Sequence, residues 1–182
     1  MVLICMLRGI NVSGQKKVPM TELKILFENL GFTHVTTYIQ SGNVVFTSGN
    51  SKLTAVASLI RKGIYKHFGF DVPVILRTPG ELQKAASINP FLKEKDIDPE
   101  RLYITFLETE PAKDKLDKIK DVRFEPERFF IREKEVYLYC PNGYGRAKLN
   151  NNFFESKLKV TATTRNLRTV DELLKIASGI KL

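Results

Sequence analysis

The sequence predicts an α+β protein, a tandem of two βαββαβ (ferredoxin-like) modules with a bridging helix between them and a C-terminal helix. Three observations predict it. The opening run VLICML, Val2 to Leu7, is apolar without alternation, which describes a strand buried on both faces and therefore central in its sheet. The stretch DVPVILRT, residues 71–78, carries Pro73, which has no N–H to give a ladder and so belongs at a sheet edge. Between them lie a helix, a hairpin and a second helix, and the same order of elements starts again at Leu102.

Arg8 to Lys17, RGINVSGQKK, is a loop by its glycines, turn formers and positive charges. Pro19 sits near the first position of a helix with Glu22 in its first turn and Leu23, Leu26, Phe27 and Leu30 on one stripe. Gly31 takes the left-handed cap and Phe32 folds back on the helix. The hairpin TTYIQSGNVVFT, Thr36 to Thr47, places Tyr38 and Ile39 on one strand and Val44, Val45 and Phe46 on the other, with Gln40, Ser41, Gly42 and Asn43 as the turn. Asn50 or Ser51 caps a second helix whose stripe is Leu53, Val56, Ala57, Ile60 and Ile64, ended by Gly69 and Phe70.

Thr78-Pro79-Gly80-Glu81 reads as a capping box that opens a short helix to Ala86 or Ser87, and Asn89-Pro90 ends it. The charged, proline-punctuated segment from Lys93 to Arg101 is a linker or long surface loop. LYITFLE from Leu102 is then a strand, 112–120 a charged short helix, and 124–132 with 135–140 a second hairpin. Residues 150–158 form a helix, KVTAT at 159–163 the last strand, and about 166–177 the final helix. The domain reading is 1–78 for the first module, 79–101 for the bridging helix and linker, and 102–182 for the second module with its C-terminal helix.

Length and composition suit a globular protein: 182 residues, 43% hydrophobic and 27% charged. No apolar run approaches the roughly 20 residues that span a bilayer, and the start lacks a basic region and a cleavage site, so the reading is a cytoplasmic protein that is neither exported nor membrane-bound. Cys5 and Cys140 each sit in a strand-like run and read as buried free thiols. His34 and His67 have no Cys or His at ligand spacing, so no metal site is expected. The net charge of +9 is uneven: +6 over residues 1–78, −2 over 79–140 and +5 over 141–182. Two basic ends around an acidic middle favour an anionic partner.

No phosphate loop, nucleophile elbow or dinucleotide fingerprint occurs, so no cofactor is expected and the sequence fixes no catalytic residue. Gly143-Tyr144-Gly145-Arg146 has two glycines beside a basic residue, either a phosphate cradle or plain turn chemistry. The carboxylate pairs Glu108 and Glu110, and Glu125 and Glu127, read as solvated strand ends.

Topology places the candidate site. In βαββαβ the loop after the first strand and the tip of the first hairpin lie at the same end of the sheet, so Arg8, Asn11, Lys16 and Lys17 converge on Gln40, Ser41 and Asn43. The same rule brings Tyr144, Arg146 and Lys148 beside Arg165, Asn166 and Arg168, with two helix N-termini adding positive dipole character. The expectation is that both clusters face a shared groove in which Arg8, Arg146 and Arg165 contact an anion. The leading reading is a binding protein for a nucleotide or nucleic acid. The alternatives are an enzyme acting on a phosphorylated small molecule and an interaction protein, a homodimer included, whose sheet covers its second apolar face with a partner.

Five motifs carry a resemblance: LRGINVSG (7–14), KVPMTEL (17–23), TYIQSGNVVF (37–46), GYGRAKL (143–149) and TTRN (163–166). Together they resemble the bacterial family catalogued as domain of unknown function 1697, from the first strand to the last helix. Ser13 stands where that family more usually shows a second glycine, and Leu167 where an aromatic is common. The resemblance implies a bacterial cytoplasmic α/β protein with no established activity.

Overall fold

An apolar run without alternation needs cover on two sides and neighbours on two edges, and β1 (Val2–Leu7) has both. The computed structural model describes residues 1–12 and 14–180, so Ser13, one of the two departures from the family motif, lies outside the described residues. After β1 come α1 (Met20–Asn29), β2 (Thr33–Tyr38), β3 (Asn43–Thr47), α2 (Leu53–Phe68) and β4 (Val74–Arg77). Then follow α3 (Pro79–Ser87), β5 (Leu102–Leu107), α4 (Lys113–Asp117), β6 (Arg128–Arg132) and β7 (Glu135–Tyr139). The chain ends with α5 (Asn151–Leu158), β8 (Ala162–Asn166) and α6 (Leu167–Ser178). This is βαββαβ twice, with α3 between the two and α6 last.

The chain divides into two compact units: residues 1–83 with the turns of α6 from Glu172, and residues 84–171. The first holds an antiparallel sheet in the order β2-β3-β1-β4, so β1 is central and Pro73 precedes an edge strand. Alternation sends Leu3, Cys5, Leu7, Val44, Phe46 and Leu76 to the face that packs on Leu23 and Phe27 of α1 and on Val56, Ile60 and Ile64 of α2. Phe27, Phe32 and Phe46 meet there with ring centroids 4.6 to 5.7 Å apart, the fold-back that Gly31 makes possible at φ 87°. The opposite face, with Ile4, Met6, Val45 and Ile75, is also buried within the chain.

The second unit repeats the plan in the order β6-β7-β5-β8. Leu107, Val136, Leu138 and Ala162 face Ile119, Phe154 and Leu158, and the other face buries Leu102, Ile104, Phe106 and Tyr137. The two sheets share one register. Ile4 pairs with Val45 and Arg77, and Ile104 pairs with Tyr137 and Arg165. Two sheets with negligible sequence likeness thus place the same arginine at the same point of the edge strand.

Several local expectations hold and several need correction. The capping box is present: Thr78 N and Oγ1 donate to Glu81 Oε2 at 2.8 and 3.0 Å, and Glu81 N donates to Thr78 Oγ1 at 3.2 Å. Helix α2 is not capped by Asn50 or Ser51; Lys52 occupies the cap position and Asn50 Oδ1 only accepts from Lys52 N at 2.9 Å. Ile39 is not in a strand. It sits in the turn at φ 48° and is 47% exposed, a costly backbone for a β-branched residue. The last strand is not 159–163, because Lys159 is the left-handed cap of α5 at φ 59° and pairing begins only at Ala162. Among the described residues no helix is long and apolar enough to cross a membrane.

Tyr137 is buried, and its hydroxyl has no hydrogen-bond partner among the described residues. Burial, with a smaller push from Glu135, moves its phenol up from 10.0 to about 12. Stability from the neutral phenol is therefore complete below pH 10 and is lost as the pH rises toward 12. Tyr137→Phe removes the unpaired group and should raise stability at pH 7 by about 1 kcal/mol while flattening the loss between pH 10 and 12, both read from urea melts. Cys5 and Cys140 are 0% exposed and not in a disulfide, and burial moves the Cys140 thiol up to about 12. Neither should react with a thiol reagent faster than the protein unfolds.

Candidate functional site

In the first unit the loop after β1 folds as a miniature hairpin of its own, with Gln15 N donating to Val12 O at 3.0 Å and Asn11 N to Lys16 O at 3.1 Å. Asn11 is held at φ 53° and Lys16 at φ 46°. The Asn11 amide is the staple: Nδ2 donates to Val18 O at 2.9 Å and to Gln40 O at 2.8 Å, and Oδ1 accepts from Val18 N at 2.8 Å. The loop after β1 and the β2–β3 turn therefore touch. Asn43 closes the turn from inside, donating to Tyr38 O at 3.1 Å and Ser41 Oγ at 2.9 Å. Gly42 fits because a side chain cannot: at φ 77° a Cβ would lie 2.6 Å from Ile10 Cδ1 and 2.9 Å from Leu7 Cβ.

Those bonds sort the expected ligand contacts into anchors and free groups. Asn11, Ser41 and Asn43 are anchors. Lys16 is engaged too, its ammonium 2.7 Å from Asp71 O and 5.9 Å from the centre of the Phe70 ring. Arg8 is half-buried and its amide donates to Pro73 O at 3.1 Å. Lys17 and the Gln40 side chain are exposed, beside exposed Val12 and Ile39.

In the second unit the loop after β7 is fixed by Tyr144. Its ring lies 5.3 Å from Tyr103, and its hydroxyl donates to Thr164 Oγ1 at 2.9 Å and accepts from Asn151 N at 3.0 Å. Thr164 continues the chain of bonds to Asn151 Oδ1 at 2.7 Å and to Thr105 at 2.6 Å. Tyr103 also pairs with Asn166 across β5 and β8, so Tyr144 and Asn166 share one end of the sheet. Asn166 Nδ2 donates to Glu100 O at 2.9 Å, and its Oδ1 accepts from Arg168 N at 2.8 Å, which caps α6. Arg146 and Arg168 are exposed. Lys148 lies with its ammonium 5.6 Å from the Phe124 ring, while Glu127 accepts from the Lys148 and Leu149 amides at 3.0 and 2.9 Å.

Two of the groups expected at this end are not open loop groups. Arg165 is only 6% exposed, because β8 runs on to Asn166 and alternation turns Arg165 to the sheet face away from α5; its guanidinium donates to Thr163 Oγ1 at 2.8 Å and Thr164 O at 2.9 Å. The N-terminus of α5 offers little to a ligand, since Tyr144 takes Asn151 N and Asn150 Oδ1 takes Phe153 N at 3.1 Å. Glu127, read from the sequence as a solvated strand end, instead accepts from two backbone amides, and sequence reasoning missed Thr105, Thr164 and Asn151, whose roles depend on contacts between separate segments. Arg101 is a further addition, its guanidinium 3.4 Å from where a Cβ on Gly143 would stand and 3.7 Å from Asp98. Among the described residues no group of three or more His, Cys, Asp or Glu is placed to hold a metal ion.

The stapled end of the first unit is where LRGIN meets QSGN, inside the region that a family model matches, residues 1–137. The chain belongs to DUF1697, a family of proteins of unknown function. The motifs at 143–149 and 163–166 lie beyond the matched region. The chain is also similar to a solved structure of a conserved bacterial protein from Streptococcus pneumoniae, with a TM-score of 0.75, 23% sequence identity and coverage of 97% of this chain and 98% of that one. That likeness shows the fold. Comparison with curated proteins finds no match.

The staple predicts a ranking. Asn11→Ala removes three bonds and should cost about 2–3 kcal/mol. Asn11→Asp keeps the acceptor but sets a carboxylate against the Val18 and Gln40 carbonyls, so urea melts at pH 7 should show it at least as destabilised as the alanine variant.

Proposed function

We propose that this protein binds an anionic ligand, a nucleotide or a nucleic-acid strand, through the basic side chains at its two loop ends. One observation carries the reading. Lys17 in the first unit and Arg146 and Arg168 in the second are exposed and have no acidic partner among the described residues, while the residues around them are bonded down. Long cationic side chains on rigid turns contribute nothing visible to folding. They lose little further order when an anion arrives, and they add a charge that is favourable for a phosphate. The net charge of +9 gives the same preference at long range.

Two other observations bear on the alternatives. The buried groups Tyr137 and Cys140 are both pushed up, away from neutral pH, so neither serves as a base or nucleophile near pH 7. The second apolar face of each sheet, the feature that favours self-association, is already buried within the single chain.

Fluorescence anisotropy with a labelled single-stranded oligonucleotide, at low and at physiological salt, tests the reading, and thermal shift with nucleoside phosphates covers the small ligands. Arg146→Ala should weaken strand binding about three- to tenfold and lower the log–log salt slope by about 0.7 per lost contact. Lys17→Ala tests the first cluster alone, and the double variant shows whether the two act on one ligand, through non-additive losses. No binding even at low salt, together with no stabilisation by any nucleoside phosphate, overturns the proposal.

A further inference from the structure

The second unit differs from the first in one respect that leaves a surface open. The helix after β1 has 10 residues and covers its sheet, whereas α4, in the same place after β5, has 5. Where the missing turns would lie there is a cleft of about 500 Å³ between the α4 segment and strand β6, walled by Leu116, Val122, Phe129 and Ile131. Strand β6 is one of the two edges of its sheet. The edge strand β2 of the first sheet breaks its register between Thr33 and Thr36, a bulge of the kind that blunts an edge. Strand β6 pairs with β7 in unbroken register over all its residues.

The hairpin geometry says which groups the edge presents. A two-residue turn, Glu133 and Lys134, joins β6 to β7, so Arg132 and Glu135 form the hydrogen-bonded pair and so do Phe130 and Tyr137. The N–H and C=O groups of Phe129 and Ile131 therefore point outward, on the residues whose side chains line the cleft.

Charge selects the occupant. Several groups at the cleft are already engaged: Glu127 by the Lys148 and Leu149 amides, Glu133 by Lys84 at 3.1 Å and Arg128 by Glu94 at 2.6 Å. Lys120 and Arg123, which line the cleft, have no acidic partner among the described residues; the Arg123 guanidinium donates to the Lys120 and Val122 carbonyls, at 2.9 and 2.8 Å. Among the described lining residues, Glu125 is the one carboxylate left unengaged beside these two cations.

We propose that β6 accepts an extended acidic peptide from a partner protein as an added strand. Its apolar side chains alternate into the cleft, and its negative charge is drawn by Lys120 and Arg123 at the lining. The backbone supplies the register, the cleft takes every second side chain, and the unpaired cations exclude a basic strand.

The probe is a fluorescein-labelled peptide that alternates glutamate with valine, compared with its lysine–valine counterpart and with a version N-methylated along one edge. The acidic peptide should bind, its lysine counterpart should not, and N-methylation should weaken it at least about tenfold by removing ladder bonds. Lys120→Glu with Arg123→Glu should cost a similar factor, and amide exchange in the complex should slow at Phe129 and Ile131. The N-methylated peptide leaves the protein unaltered, so the test survives if the charge-reversed variant folds poorly. Absence of binding up to about 1 mM, equal binding of the N-methylated peptide, or protection elsewhere overturns the proposal. So does concentration-dependent dimerisation that protects the same two amides without peptide, because a second copy of the chain is then the occupant.

Discussion

Both central strands are buried on both faces, and the rest of the structure follows from that constraint. In β1 the residues from Leu3 to Leu7 are withdrawn from water, and in β5 so are Leu102 and the run from Ile104 to Leu107. Such a strand cannot be an edge, so it takes a neighbour on each side: β3 and β4 in one sheet, β7 and β8 in the other. Nor can its register slip, since a shift of one residue would exchange two finished faces at once. Burying each of these Leu, Ile and Phe side chains is favourable by roughly 1.5–3 kcal/mol, so the slip is excluded many times over. What can vary without disturbing this arrangement is the ends of the sheets and the lengths of the helices.

The elements that were readable in the sequence are those whose signal is local. Pro73 denies an amide to the ladder wherever it stands, Gly31 allows the left-handed turn that brings Phe32 onto Phe27, and Thr78 and Glu81 satisfy each other's amides within one turn. The misread elements were decided elsewhere. Ile39 has the composition of a strand residue, but the turn must leave Gly42 against Leu7 and Ile10, and Ile39 absorbs the positive φ that results. KVTAT has the composition of a strand as well, yet Lys159 is spent on ending α5 and the strand starts three residues later.

That displacement also changes where Arg165 lies. With the last strand ended at Thr163, Arg165 belongs to an exposed loop; with β8 running to Asn166 it lies inside the sheet, and its guanidinium donates to two oxygens of its own strand. Arg168, three residues on, lies beyond the strand and is exposed. Lys16 and Lys17 make the same point without any boundary error, being identical in chemistry and adjacent. A carbonyl and an aromatic ring are within reach of one and not the other. The conspicuous amides Asn11 and Asn43 were correctly placed at the tip, but their hydrogen bonds are consumed in holding it, which composition alone does not reveal.

The shared register makes the differences between the two sheets informative, because equivalent positions can be compared directly. Cys5 opposite Leu76 in the first sheet corresponds to Thr105 opposite Thr164 in the second. An apolar contact beneath two full helices is replaced by a hydroxyl pair at 2.6 Å, tied onward to Tyr144 and Asn151. The replacement fits the shortening of α4: a sheet with less apolar cover gains its rigidity from directional bonds, and those bonds lock the turn that carries Arg146. Shortening one helix therefore has two effects in the same unit, an open flank along β6 and a stiffened end at Tyr144. In the first unit the corresponding helix is twice as long and the edge strand is bulged.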